Sequence, residues 1–200
     1  MHKIGLTGGI CTGKTFILNI FKELGCYTLR ADEIAKPIIF DPDSQVSQEI
    51  VREFGEGIYD EKKGLKKEEF TRILFEDIEK RNFVNNTVHP LVVAEREKVF
   101  KDLDKTGVYQ FFIYESALMV ESGTYKDFDK IIVVFTTAEE QMKRLQERDG
   151  INHENAEKRI KAQFPLSEKL KVAHYIIDSS GSFESAKAKA YETFHLMKKD

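Results

Sequence analysis

The feature that most constrains the fold is a glycine-rich segment near the start of the chain. Residues 8–15 read Gly-Gly-Ile-Cys-Thr-Gly-Lys-Thr, which matches the pattern G-x-x-x-x-G-K-[ST]. An apolar run at residues 4–6 precedes the segment, and apolar residues at helical spacing follow it at 17–24. This order predicts a phosphate-binding loop between a strand and a helix. Glycines allow backbone N–H groups to approach a phosphate, and the helix adds its positive dipole end.

The lysine and the hydroxyl of such a loop have defined tasks. Lys14 is predicted to reach the β- and γ-phosphates of ATP, and the Thr15 hydroxyl is predicted to bind Mg²⁺. The other residues predicted to contact the nucleotide are Gly8, Gly9, Ile10, Cys11, Thr12 and Gly13. The alternative is an ordinary glycine turn, but the flanking strand and helix favour nucleotide binding. Cys11 is interpreted as a small filler of the loop.

Hydrophobic periodicity along the chain predicts an α/β fold with a parallel sheet. Strand-like runs lie at residues 4–6, 26–29, 108–114, 130–135 and 175–178. Most of the segment 31–104 carries helical spacing, which indicates a helical subdomain inserted between two strands. Within it, Ser44 is a predicted helix cap, residues 55–64 a predicted loop, and Pro90 a predicted first-turn residue.

Composition and charge exclude several classes of protein. The 200 residues are 41% hydrophobic and 32% charged, which is typical of a folded globular protein. The net charge of −3 argues against sequence-independent binding to nucleic acid. No apolar run approaches the roughly 18 residues of a membrane span. The sequence therefore predicts a cytoplasmic protein with no membrane partner, in which Cys11 and Cys26 stay reduced.

The loop by itself does not name a reaction. A GTPase would carry an N-K-x-D motif, which is absent from the sequence, and a large motor ATPase needs a longer chain. A compact kinase for a small molecule fits the length. Such an enzyme needs an acidic group near the acceptor hydroxyl, basic residues around the transferred phosphoryl group, and a lid that excludes water.

Two acidic residues follow predicted strands. Asp32 comes just after the second strand, at the sheet edge where ligands bind, and an N-cap for a helix over residues 33–36 is its alternative role. The two roles are compatible, since one oxygen can cap while the other faces the site. Glu115 ends an apolar strand, where it either acts on Mg²⁺ or is an ordinary strand-end carboxylate.

The basic candidates lie in a charged helical hairpin at residues 139–165. Arg144 and Arg148 are four residues apart and share a helix face, and Arg159 lies on the second helix. Gly150 is the predicted turn between the helices, and Asn152 the predicted cap. The hairpin is interpreted as a lid, with a solvated surface hairpin as the alternative.

Taken together, these motifs resemble the dephospho-CoA kinase family, which phosphorylates the ribose 3′-hydroxyl of dephospho-CoA with ATP. The resemblance runs in order along almost the whole chain. The matching segments are Leu6–Ile10 with Gly13–Thr15, Ala31–Lys36, His89–Leu91, Leu118–Glu121, Arg148–Asp149, Arg159–Gln163 and Ile177–Gly181.

The resemblance implies a P-loop NTPase fold with a five-stranded parallel sheet flanked by helices. It implies a core at residues 1–30, 105–138 and 166–200, a helical CoA-binding subdomain at 31–104, and a lid at 139–165. It further implies that Asp32 is the catalytic base, with Lys14 and Arg144 also catalytic. The residues expected to contact dephospho-CoA are Asp32, His89, Glu121 and Arg159. His89 has an alternative role as a capping residue for the helix after Pro90.

Four positions depart from the family pattern. Cys11 stands where the family usually has glycine, Ala117 where it has proline, and Ser179 where it has asparagine. Arg30 replaces an aspartate and changes the charge near the predicted base. Because Asp32 and the loop are both present, the sequence predicts an active enzyme. The expected assembly is a monomer or weak homo-oligomer. The alternatives are a nucleoside or nucleotide kinase, and a nucleotide-binding protein without turnover.

Overall fold

The structure is a computed structural model that describes residues 1–60 and 64–199. Its main sheet is five-stranded and parallel, with the strand order β2-β5-β1-β6-β7. The strands are β1 His2–Gly8, β2 Tyr27–Arg30, β3 Tyr59–Asp60, β4 Gly64–Leu65, β5 Phe111–Glu115, β6 Lys130–Phe135 and β7 Tyr175–Asp178. The helices are α1 Lys14–Glu23, α2 Ala31–Phe40, α3 Gln45–Phe54, α4 Lys67–Glu76, α5 Ile78–Asp104, α6 Ala138–Asp149, α7 His153–Lys161, α8 Leu166–Leu170 and α9 Phe183–Met197.

The chain divides into two compact units. One comprises Met1–Arg30 and the chain from Leu103 onward, and the other is Ala31–Asp102. The first unit contains the main sheet and the helical hairpin that is predicted to be a lid. The second is largely helical and ends two residues before the predicted boundary at residue 104.

Alternation along β1 explains how the first unit packs. Ile4 and Leu6 point into a buried cluster formed with α1 and α9, whereas Gly5 faces Met119 on the opposite side. The four residues 131–134 of β6 are all buried, as expected for an apolar strand covered on both faces. Since consecutive strands run parallel, their carboxyl ends meet at one edge, where the loop after β1 also lies.

The structure of the helical unit differs from two predictions. The segment predicted as a loop at 55–64 contains a short 3₁₀ helix at Glu56–Ile58 and the antiparallel pair β3–β4, with residues 61–63 outside the described part. Pro90 does not begin a helix: α5 runs on both sides of it. A proline inside a helix removes one backbone hydrogen bond, and here the buried residues Val84, Val88 and Val92 hold one continuous face across it.

Two predicted helix caps are confirmed. Ser44 accepts from the Ser47 N–H as the cap of α3, and Asn152 accepts from the Asn155 N–H as the cap of α7. Gly150 ends α6 with left-handed backbone angles, so the two lid helices join where expected. The strand predicted at 108–114 begins later, at Phe111, and Val108 is exposed. Within the described residues, every helix is too short or too polar to cross a bilayer.

Candidate active site

The phosphate-binding loop connects β1 to α1. Gly13 adopts left-handed backbone angles, φ 85° and ψ 13°, directly before the first residue of α1. Among the described residues, no side chain caps this helix. The first N–H groups of a helix have no partner within it, so an uncapped N-terminus presents donors and a positive dipole end to an anion. The geometry therefore fits a nucleotide phosphate.

Hydrogen bonds within the loop hold its shape. Lys14 Nζ and Thr12 Oγ1 both donate to the Gly9 carbonyl, at 2.8 and 2.9 Å. From the far side, Ser179 Oγ donates to the Thr12 carbonyl at 2.8 Å. Thr15 is exposed on the first turn of α1, where its hydroxyl can reach solvent or a bound ion. The loop is thus preformed, with its lysine folded back onto its own backbone.

Cys11 has a positive φ of 57°, which L residues other than glycine seldom adopt. Burial raises the pKa of its thiol, while the charges of Arg148, Lys14 and Arg144 act in the opposite direction. A thiol with a raised pKa stays protonated near neutral pH, so Cys11 fits the role of a small filler. These charges also show that the lid arginines lie near the loop.

The three lid arginines are held in ordered positions. Arg144 donates to the Ser179 carbonyl at 2.7 Å and pairs with Glu140. Arg148 and Arg159 share one partner, Asp149. The hydrogen bond from Arg148 lowers the pKa of the Asp149 carboxyl, so Asp149 is ionised at neutral pH and holds both guanidinium groups.

Glu115 lies at the carboxyl end of β5, beside Leu6 of β1 and Arg30 of β2. Its Oε2 accepts from Arg30 Nε at 3.1 Å, and its side chain is only 9% exposed. Arg30, the departure that changes the charge near the predicted base, is therefore paired with the carboxylate predicted to act on Mg²⁺.

Glu121 makes hydrogen bonds to the end of the lid and to α8. Its Oε1 accepts from Lys169 Nζ at 2.6 Å and from the Phe164 N–H at 2.9 Å. Lys169 is fully buried and also donates to the Ala117 carbonyl. These contacts join the end of the lid to the loop after β5. The second carboxylate oxygen, Oε2, is buried without a hydrogen-bond partner among the described residues, and the predicted substrate contact of Glu121 stays a prediction.

The Glu121–Lys169 pair leads to a stability prediction. Burial lowers the pKa of Lys169, while Glu121 favours its charged form. We expect Lys169→Met to lower the free energy of unfolding by about 3 kcal/mol, because it leaves a largely buried carboxylate without its countercharge. Lys171→Met is the matched control: Lys171 is exposed and pairs with Glu168, and its loss should cost less than about 0.5 kcal/mol. Urea denaturation at pH 7 measures both, and equal losses would contradict the structural role.

The remaining candidates belong to the helical unit. Asp32 is the second residue of α2 and is exposed, so it lies within the first helical turn and is not the predicted N-cap. His89 is half-buried inside α5, one residue before Pro90. Because α5 continues through Pro90, the alternative role of His89 as a helix cap is wrong.

Sequence patterns missed three residues that shape the site. Ser179, noted only as a departure from asparagine, contacts both the loop and Arg144. Gln141 was given no role, yet its Nε2 donates to the Ile10 carbonyl at 2.8 Å. Gln163, named only as the end of the matching segment Arg159–Gln163, accepts from the Ile10 N–H at 2.8 Å. A polar residue on a charged helix carries no local signal that it faces a loop more than a hundred residues away.

The loop fits ATP, and the nearby oxygen groups fit Mg²⁺ as a partner of the nucleotide. Among the described residues, no cluster of three or more His, Cys, Asp or Glu could hold a metal unaided. Mg²⁺ commonly takes one or two protein ligands together with phosphate oxygens and water. The Thr15 hydroxyl at the start of α1 suits that arrangement.

Comparison with known proteins identifies the family. The family model for dephospho-CoA kinase matches residues 2–185. The chain belongs to the dephospho-CoA kinase family. The dephospho-CoA kinase of Aquifex aeolicus is 37% identical over 200 residues, which cover all of both chains.

Solved structures agree with this assignment. The dephospho-CoA kinase of Campylobacter jejuni superposes with a TM-score of 0.71 at 28% identity, covering 98% of this chain and 97% of that one. The Thermus thermophilus protein TT1252, at 23% identity and a TM-score of 0.77 over 98% and 97% of the chains, shows the same fold. The predicted family, the P-loop kinase fold and the kinase class are therefore confirmed.

Proposed function

We propose that this dephospho-CoA kinase transfers the γ-phosphate of ATP to the ribose 3′-hydroxyl of dephospho-CoA, with Mg²⁺ as cofactor. The observation that carries the proposal is the uncapped N-terminus of α1 at the end of the phosphate-binding loop. Lys14, Arg144 and Arg148 place positive charge near this loop. This is the arrangement that phosphoryl transfer needs, because catalysis rests on positioning and on neutralising charge. Membership of the family supplies the acceptor.

The groups of the core unit bind and polarise the nucleotide. Backbone N–H groups of the loop at residues 8–15 would hold the β-phosphate, apart from that of Ile10, which donates to Gln163. Lys14 would leave the Gly9 carbonyl to contact the β- and γ-phosphates. Arg144 and Arg148 would stabilise charge on the transferred group. Mg²⁺ bound to the nucleotide supplies further neutralisation of the β- and γ-oxygens.

The helical unit would supply the acceptor side. Asp32 accepts the proton of the 3′-hydroxyl as that oxygen forms its bond to the γ-phosphorus. The bond between the γ-phosphorus and the β,γ-bridging oxygen breaks, and ADP leaves with the electron pair. We assign dephospho-CoA contacts to His89, Glu121 and Arg159, and the CoA-binding role to residues 31–104.

Glu115 would act on Mg²⁺ through a bound water, while it keeps its ion pair with Arg30. The engagement of its Oε2 by Arg30 favours this indirect role over direct ligation. The cytoplasmic location and the monomeric or weakly associated state predicted from sequence remain predictions.

A direct assay tests the function. With ATP and Mg²⁺, we expect ADP release to be fast with dephospho-CoA and slow with nucleosides or nucleotides. Mass spectrometry should find one added phosphoryl group, and ³¹P NMR should place it on the 3′-oxygen. Preference for a nucleoside acceptor would assign a different small-molecule kinase. ADP or ATP binding without turnover would identify a nucleotide-binding protein in which departures such as Arg30 have removed catalysis.

A further inference from the structure

Two side chains of the lid segment make hydrogen bonds to one residue of the phosphate-binding loop, Ile10. Its N–H donates to Gln163 Oε1 at 2.8 Å, and its carbonyl accepts from Gln141 Nε2 at 2.8 Å. Gln141 is the fourth residue of α6, and Gln163 follows α7 by two residues. The two ends of the lid hairpin are therefore anchored on the same residue of the loop.

The contact is built into the loop as well as into the lid. Gln141 is only 7% exposed, and a Cβ at Gly9 would lie 2.6 Å from its Nε2. Any side chain at Gly9 would therefore displace Gln141. The glycine at this position serves the approach of the lid in addition to loop flexibility.

Gln163 and Lys14 act on opposite sides of one peptide group. The carbonyl of the Gly9–Ile10 peptide accepts from Lys14 Nζ, and the N–H of that peptide donates to Gln163. A shift of Gln163 would therefore move the group that holds Lys14. The backbone of the next residue, Phe164, is itself fixed by Glu121, so the Gln163 anchor rests on the rigid core.

The lid arginines lie between these two anchors. Arg144 and Arg148 are on α6 after Gln141, and Arg159 is on α7 before Gln163. Two fixed ends restrain the hairpin between them more strongly than one. The positions of all three guanidinium groups relative to the loop therefore depend on both contacts with Ile10.

We propose that Gln141 and Gln163 are positioning residues that hold Ile10 between them and so set the lid arginines relative to Lys14. Gln163 is the acceptor and Gln141 the donor, because their backbone partners are an N–H and a carbonyl. The proposal rests on the proposed kinase function. It requires one glutamine to act as a hydrogen-bond acceptor and the other as a donor.

The same substitution at both positions separates the two roles. In Gln163→Glu, a carboxylate oxygen still accepts from the Ile10 N–H. In Gln141→Glu, a carboxylate replaces the donor and faces the Ile10 carbonyl with no hydrogen to offer. Both variants add one negative charge beside the same residue, so general repulsion of ATP is common to both. We expect kcat/KM for ATP to be about tenfold lower in Gln141→Glu than in Gln163→Glu.

Two further variants complete the design. Gln163→Leu removes the acceptor and should also lose about tenfold in kcat/KM. Gln163→Glu restores an acceptor at the same position and should therefore recover most of that loss. Gln146→Glu adds a charge elsewhere on α6, beside Glu147 and Lys143 on the outer groove of the lid, and should stay within about twofold of the parent. Melting temperature is measured for every variant, and we expect all of them to lie within a few degrees of the parent protein.

ADP affinity, measured by calorimetry, gives a readout that does not need turnover. We expect it to fall in the same order as kcat/KM. If the parent protein turned over no acceptor but ADP affinity still separated the variants, the kinase function would fail while the positioning role stood. Equal behaviour of the two Gln→Glu variants, or losses that simply follow melting temperature, would overturn the proposal.

Discussion

Lys14→Ala is expected to lower turnover of ATP and dephospho-CoA by at least about a thousandfold while leaving the protein folded. The side chain is half-buried at the loop and donates to the Gly9 carbonyl. Its removal costs one hydrogen bond, or about 1 kcal/mol of stability. In catalysis it removes a positive charge from the phosphoryl group being transferred, where such charges are worth several powers of ten in rate.

A neighbouring lysine provides the control for this experiment. Lys22 is exposed in the last turn of the same helix, so Lys22→Ala removes an equal charge far from the loop and should change the rate by less than about twofold. Steady-state kinetics and circular dichroism of both variants measure the difference. Near-normal turnover by Lys14→Ala would mean that the loop does not bind the nucleotide phosphates.

Asp32→Asn is expected to lower turnover by about 10²–10⁴-fold with ATP binding retained. The ribose hydroxyl is a weak nucleophile, and a carboxylate both orients it and accepts its proton, whereas an amide cannot take that proton. The structure places Asp32 in the first turn of α2, where loss of a negative charge costs about 0.3–1 kcal/mol through the helix dipole. A small change in stability should therefore accompany a large change in rate.

Glu33 offers a matched comparison, because it is exposed in the same helical turn. Glu33→Gln removes the same charge from the same helix dipole and should leave the rate within about twofold of the parent. ADP release measures turnover, calorimetry with ADP measures binding, and thermal melting measures stability. If the two variants lost similar activity, the effect would come from the helix and the base would lie elsewhere.

Features encoded over a few residues were predicted correctly. The loop at 8–15 depends on glycine, lysine and threonine at fixed spacing, with a strand before it and a helix after it. Caps such as Ser44 and Asn152 bond to a backbone N–H three residues further on. Both ends of each interaction lie inside one short window of sequence, so the pattern contains the whole geometry.

The prediction for Pro90 failed because tertiary packing outweighed a local conformational preference. Pro90 was expected at the start of a helix because its ring suits the first turn. In the structure, the buried valines of α5 continue on both sides of it. The packing of a continuous apolar face outweighs the loss of one backbone hydrogen bond at Pro90. The residues next to Pro90 do not show how much of α5 is buried, so the sequence there does not predict which effect is larger.

What the sequence determined by itself was the kind of chemistry: a phosphate-binding loop, an acidic residue after the second strand, a basic hairpin, and the family that combines them. The tertiary structure decided the partners. Arg30 meets Glu115, Glu121 meets Lys169, and two lid glutamines meet Ile10. These pairs lie dozens to more than a hundred residues apart, and the order and register of the parallel strands bring them together. Since strand order is a property of the whole packed core, no single segment of the sequence specifies which polar groups will face each other.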